Sequence, residues 1–188
     1  MVQYRDMQFP KTPNKVHEEI REFLNETGRE IIEEKEKEQN NQWILKVKQG
    51  VSKVKILHPT GKDYIYIIFE YEVDEVGQKL LIDTYSGTNN VVDFNYDLVY
   101  AITSPHVSIS FRRLSTPRSD YIYMGFDIAA KVFPFEESYS IQYLEDAIQN
   151  VINAGRLGIY FFAVRLKSYR EAIKLLEMLD SSFDGMFI

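Results

Sequence analysis

Cysteine is absent from all 188 residues. That excludes disulfides, thiolate nucleophiles, Cys-ligated zinc and iron–sulfur clusters. A basic excess is absent too. Twenty-two Lys and Arg against 28 Asp and Glu leave a net charge of −6, which argues against a general nucleic-acid binder, since such proteins present a basic surface. A local basic patch stays open. No apolar run approaches the roughly 20 residues needed to span a bilayer. The N-terminus, MVQYRDMQFPKTP, has no apolar core of the signal-peptide kind. These absences together predict a cytoplasmic location. Histidine is scarce, with only His17, His58 and His106. None is spaced with another His or a carboxylate pair for metal ligation, as in H-E-x-x-H.

What is present suits a folded domain. Hydrophobic residues make up 45% and charged residues 27%, ordinary values for a globular chain. A chain of this length buries about two-thirds of its unfolded surface without staples. One domain over residues 1–188 is expected. The abundance of Ile, Tyr, Lys and Glu hints at a thermophilic source.

The stretch Tyr64–Val73, YIYIIFEYEV, organises the rest. Ile65, Ile67, Phe69, Tyr71 and Val73 point one way; Tyr64, Tyr66, Ile68, Glu70 and Glu72 point the other. The first face is apolar and predicts burial, and the second is mixed and predicts partial wetting. A long interior strand of an antiparallel sheet follows. Upstream, Thr12-Pro13 reads as N-cap and N1 of a helix. Val16, Ile20, Phe23, Leu24 and Thr27 form its stripe, and Gly28 its stop. Arg29–Gln39 fits either a continuing helix or an edge strand. Trp43–Lys48 and Lys53–Ile56 alternate and, with the central strand, form a three-stranded meander over 43–73.

After the meander, Leu80–Tyr85 reads as a short strand. A helix over 89–102 follows, with Val91, Asn95, Leu98, Val99 and Ile102 as its stripe. Val107–Arg112 and Tyr121–Ile128 alternate as two more strands. Glu136–Asn153 is a helix that buries Leu144, Ile148, Val151 and Ile152, with Gly155 as its stop. GIYFFAVRL, Gly158–Leu166, is apolar on both faces and predicts a buried strand. Ser168 then caps a last helix with Ala172, Ile173, Leu176 and Leu179 as its stripe. The apolar tail ending in Met186, Phe187 and Ile188 is expected to dock.

The predicted class is α+β: an antiparallel sheet of about five strands flanked by helices, in the order α-β-β-β-α-β-β-α with an extra C-terminal β-α. That order, carried by helix 13–27, the meander with WILKVK and YIYIIFEYEV, helix 89–102, the strands 106–113 and 121–130 and helix 136–153, resembles the type III secretion chaperone fold shared by the YbjN-like proteins. The resemblance covers residues 13–155 and leaves 158–188 as an extension packed on that core. It implies a small, often dimeric, protein-binding module and offers no catalytic residues to carry over. Fold analogy alone is a weak warrant for function.

The chemistry agrees with a non-enzyme. No G-x-S-x-G or P-loop is present. Ser86–Asn90 reads as helix capping, and Arg112-Arg113-Leu114-Ser115 as a strand end rather than a kinase site. Glu70 and Glu72 share a strand face, but Lys53 and Lys55 should lie beside them, so cross-strand pairing accounts for them. No metal or cofactor site is predicted. Residues 41–62 contain five lysines and no acid, and 132–155 contain four acids and no base. Lys46, Lys48, Lys53 and Lys55 should share the exposed sheet face. With Tyr121 and Tyr123 they are the candidate partner-binding residues. The expected function is protein binding, chaperone-like or adaptor-like, as a homodimer. Alternatives are a small-molecule binder with an apolar pocket between sheet and helix, and a weak nucleic-acid binder using the lysine strip.

Overall fold

The computed structural model describes residues 11–37, 42–74, 77, 98–100, 102, 106–115 and 121–165. The chain opens with α1, Pro13–Glu26, started by a Thr12 side chain that accepts from the Lys15 N–H. It continues through β1 (Glu30–Lys37), β2 (Gln42–Gln49), β3 (Ser52–His58) and β4 (Ile65–Glu72), then β5 (Ser108–Ser115) and β6 (Tyr121–Val132), and the described residues end in the 25-residue helix α2, Ile141–Arg165. The six strands form one antiparallel sheet in the order β1-β2-β3-β4-β6-β5. The α+β class and the helix-flanked antiparallel sheet are as expected. The meander is present with the predicted strands.

The alternation of β4 sorts as read. Ile65, Ile67, Phe69 and Val73 are buried, whereas Glu70 and Glu72 are exposed. Cross-strand register extends this inner face through Leu45, Ile56, Ile67 and Ala130. Both α1 and α2 lie against it. From α1, His17 stacks on Trp43 at 4.9 Å and pairs with Glu34 at 3.2 Å. From α2, Phe162 stacks on Phe126 at 5.8 Å. The opposite face, carrying Ile44, Leu57 and Ile68, has neither α1 nor α2 over it.

One open sequence reading is settled and another gives way. Arg29–Gln39 resolves as strand from Glu30 to Lys37, which brings the sheet of about five strands to six among the described residues. The register with β2 shifts between Ile31 and Glu33. This bulge puts Glu30 opposite Lys48 and Glu33 opposite Lys46, so residues three apart face the same way. Such a spacing imitates a helix, which is why the sequence read both ways.

The second change concerns residues 158–165. They are helical, not a strand, and Gly155 does not stop the helix. The helix also begins at Ile141 instead of Glu136, because Phe133–Ser140 forms a turn segment. Gly155 and Gly158 are inward positions. A Cβ on Gly155 would stand 2.5 Å from Phe69 Cδ1, and one on Gly158 would stand 2.6 Å from Phe126 Cζ. Bare backbone lets the helix settle onto two aromatic rings. A side chain there would hold it off.

Of the helix expected over 89–102, Leu98, Val99, Tyr100 and Ile102 are described and are helical, with Leu98 and Ile102 in the core. The strand over 80–85, the Ser86–Asn90 cap and everything predicted from Leu166 onward lie outside the described residues.

Candidate interaction surface

The outer face of the sheet is where the predicted partner-binding lysines meet. Lys46 lies directly opposite Lys55, and Lys48 opposite Lys53. Like charges opposed in this way repel, and the neighbouring strands supply the counter-charges. Glu33 on β1 pairs with both Lys46 and Lys35. Glu30 lies 3.5 Å from Lys48, and Glu70 lies 2.6 Å from Lys55. Lys53 is exposed and has no ion pair among the described residues. Hydrogen bonds from Lys35 and then Lys46 hold the Glu33 carboxyl down to about 2. The same contact raises the Lys46 ammonium.

Glu70 belongs to a second, larger group. Arg112 on β5 grips Asp127 on β6 with Nη2 at 2.6 Å and Nε at 3.1 Å, and reaches Glu70 at 3.2 Å. Its guanidinium is raised, first by the Asp127 hydrogen bond and then by the nearby carboxylates. The chain Lys55–Glu70–Arg112–Asp127 thus links β3, β4, β5 and β6 across the outer face. The cross-strand pairing expected for Glu70 is observed with Lys55. Glu72, exposed at the end of β4, acts through space on Arg112 rather than on Lys53 or Lys55.

Between these charges lies an apolar strip. Ile44 faces Leu57 across β2 and β3, Leu57 faces Tyr66, and Ile68 faces Ala129. All five are half-buried. Tyr64 and Tyr66 meet edge to face at 5.1 Å, and Lys131 sits over both rings, 4.8 Å and 5.5 Å from their centroids. The Tyr64 hydroxyl is raised, chiefly by its hydrogen bond with Tyr66. An apolar centre within a charged rim is the anatomy of a protein interface.

Tyr121 and Tyr123 sit on β6 opposite Ser115 and Arg113, beyond a register shift. The residues that sequence reasoning missed are Glu30, Glu33, Asp127 and Lys131, together with Ile44, Leu57 and Ala129. One signal was readable: Ile44 and Leu57 occupy the lysine register of two consecutive strands.

Elsewhere the polar groups serve the fold. His58 is buried, stacks on Trp43 at 5.8 Å and bonds through Nε2 with the Lys62 carbonyl at 2.9 Å. Arg29 is buried and donates to Gln49, Thr27 and Glu145 at 3.0, 2.7 and 2.6 Å. It ties the end of α1 to β2 and α2 at the floor of an open cleft of about 670 Å³. This cleft is polar and lies beyond the β2–β3 turn. The crossing of α2 over β4 and β6 is closed by Phe69 and Phe126 against the two glycines, which leaves no ligand space at that point. Burial lowers the Arg156 guanidinium, whose Nε donates to Ser52 at 3.2 Å. Among the described residues, no three His, Asp or Glu side chains are grouped to hold a metal ion. No described helix is long and apolar enough to cross a membrane.

No protein-family model matches this chain, and no curated protein matches it. Among solved structures, it is similar to an uncharacterized protein from Methanothermobacter thermautotrophicus, at 19% identity over 80% of this chain and 99% of that one, with a TM-score of 0.66. It also aligns with YbjN from E. coli at 10% identity, over 79% of this chain and 91% of that one, with a TM-score of 0.41. The archaeal likeness shows a shared fold.

Proposed function

We propose that this chain is a non-enzymatic protein-binding module, adaptor-like or chaperone-like, that self-associates through the outer face of its sheet. The observation that carries this reading is the half-buried strip Ile44–Leu57–Tyr66 with Ile68 and Ala129, set among charges of which Lys46, Lys48 and Lys55 are already paired within the chain. Paired charges add little free positive potential, so the outer face favours an apolar contact with a polar rim over a phosphate backbone. Six strands about 4.8 Å apart and about six residues deep give a footprint of roughly 600 Å². That approaches the roughly 800 Å² per partner of a standard stable interface. The lysine steering expected from residues 41–62 is weaker here, because β1 brings Glu30 and Glu33 alongside. On the acidic helix, Glu145 is turned inward to Arg29.

The test is the solution mass of the intact chain and of Leu57→Glu and Ile68→Glu, each checked for unchanged secondary structure. Dimer mass for the unaltered chain and monomer mass for both variants supports the reading. Dimers throughout would move the interface elsewhere. A monomeric unaltered chain would remove self-association.

A further inference from the structure

We propose that two copies of the chain pack sheet on sheet about a two-fold axis that runs along the strands between β3 and β4. The lysine strands β2 and β3 of one copy then lie over the acidic strands β4 and β6 of the other. The inference rests on the proposed self-association through the outer face, and adds the orientation of the two copies and the charged groups that select it.

Strand register lays the outer face out in rows. One row crosses all six strands as Glu30, Lys48, Lys53, Glu70, Asp127 and Ser110. Lys53 and Glu70 stand in line because each is one step from the pair Val54–Phe69. In charge the row reads minus, plus, plus, minus, minus, neutral. The next row carries Lys46 and Lys55 on β2 and β3, then Ile68 and Ala129 on β4 and β6. In the row after it Leu57 lies beside Tyr66. Bases therefore fill β2 and β3, acids fill β4 and β6, and the boundary lies between β3 and β4. Lys53 is exposed and has no ion pair among the described residues, so it has a pair still to make.

Symmetry turns this pattern into an orientation. Homodimers close on a two-fold axis, and packed sheets commonly keep their strands within about 30° of each other. Two axes in the plane of contact meet both conditions. The axis along the strands exchanges β3 with β4 and β2 with β6. Lys53 then faces the partner's Glu70, and Lys48 faces the partner's Asp127. The stems of Lys46 and Lys55 lie on the partner's Ala129 and the partner's Ile68, and Leu57 lies on the partner's Tyr66. The axis across the strands keeps each strand over its own copy and stacks lysine strands on lysine strands. Opposed like charges suppress that arrangement. Apolar burial supplies the attraction, and the charges select which of the two orientations forms.

The chain has no cysteine, so introduced thiols report single positions. Full-length Lys46→Cys and Ala129→Cys are prepared separately, treated with a short bismaleimide either alone or after refolding together, and resolved by mass. The axis along the strands sets position 46 of one copy over position 129 of the other, across the roughly 10 Å between sheets, and leaves each about 17 Å from its own counterpart. Covalent dimers should form about tenfold faster in the mixture than in either sample alone. Equal or faster cross-linking in the separate samples, or none in the mixture, would overturn the orientation. A second measurement needs no cysteine: Lys53→Glu should raise the dimer dissociation constant about tenfold at low salt. An unchanged or lowered constant would overturn the proposal, since removing Lys53 relieves repulsion only where lysine strands face each other. A monomeric unaltered chain would overturn this inference and the proposed function together, whereas a dimer with the wrong cross-linking pattern would overturn this inference alone.

Discussion

Replacing Gly155 by Ala pits two effects of opposite sign against each other. In an exposed helix interior the change stabilises by about 1 kcal/mol. Here the new methyl would meet Phe69 Cδ1, Cγ and Cε1 at 2.5, 2.6 and 2.7 Å. Ordinary carbon contacts are about 3.5–4.0 Å, so the ring must retreat by about 1 Å. It has little room, being 5% exposed and flanked on the sheet by Val54 and Ile128. Overpacking of this kind costs about 1–3 kcal/mol. The clash should win, with a net loss of about 1–2 kcal/mol and a fall in Tm of about 2–8 °C. In a Phe69→Val background the ring is gone and its space is empty. There the same Gly155→Ala change should stabilise by about 1 kcal/mol, a coupling of about 2 kcal/mol or more. Urea denaturation followed by far-UV circular dichroism on the four proteins of the cycle measures it. An increase in stability in the unaltered background, or the same change in both, would refute the close approach of helix and ring.

Three further outcomes follow from the same geometry. Gly125→Ala should cost about 3 kcal/mol or more by denaturation, because Gly125 has φ 148° and a Cβ there would lie 1.9 Å from the Tyr71 carbonyl oxygen. Arg29→Met should destabilise by about 2–4 kcal/mol through the stranded Glu145 carboxylate, and Arg29→Met with Glu145→Leu should recover part of that loss on the same denaturation curves. Glu33 has a folded-state pKa depressed to about 2 from an ordinary 4.5, so its stabilising contribution is present above about pH 4.5 and is lost as the pH falls toward 2; the stability difference between the unaltered chain and Glu33→Gln, measured from pH 7 to 2, should shrink over that interval, and a difference that persists at pH 2 would contradict the pairing.

The sheet was legible where side chains alternate on strands packed from one side. Tyr64–Val73 is the clearest case, because its two faces differ in polarity at every step except Ile68. The pairing order was not legible: nothing local in Tyr121–Val132 says that it inserts between β4 and β5. Strand β1 was ambiguous because its bulge replaces period two with a spacing of three just where Glu30 and Glu33 must both face lysines. The C-terminal half of α2 was misread for a different reason. Its apolar residues lie on two sides, one against the sheet and one outward at Leu157, Tyr160 and Val164, so periodicity vanished. Counting Gly155 and Gly158 as buried positions restores an unbroken helical series from Leu144 through Ile148, Val151 and Gly155 to Gly158 and Phe162. Glycine reads as a stop when only its backbone freedom is considered, and as a packing residue when its missing side chain is. The lysine face and the pairing of Glu70 with Lys55 were legible, but the pairing of Lys46 and Lys48 was not, because it depends on Glu33 and Glu30 of β1.

The most direct test of the account is the light-scattering mass of the unaltered chain from low salt to about 1 M. With Lys46, Lys48 and Lys55 already paired to Glu33, Glu30 and Glu70 and an apolar strip at the centre, the account predicts a dimer mass that persists across the whole range, since screening weakens exposed ion pairs and leaves apolar burial intact. A dimer that dissociates as salt rises would place the contact on free charges instead. A monomer at every salt concentration would contradict self-association through the sheet.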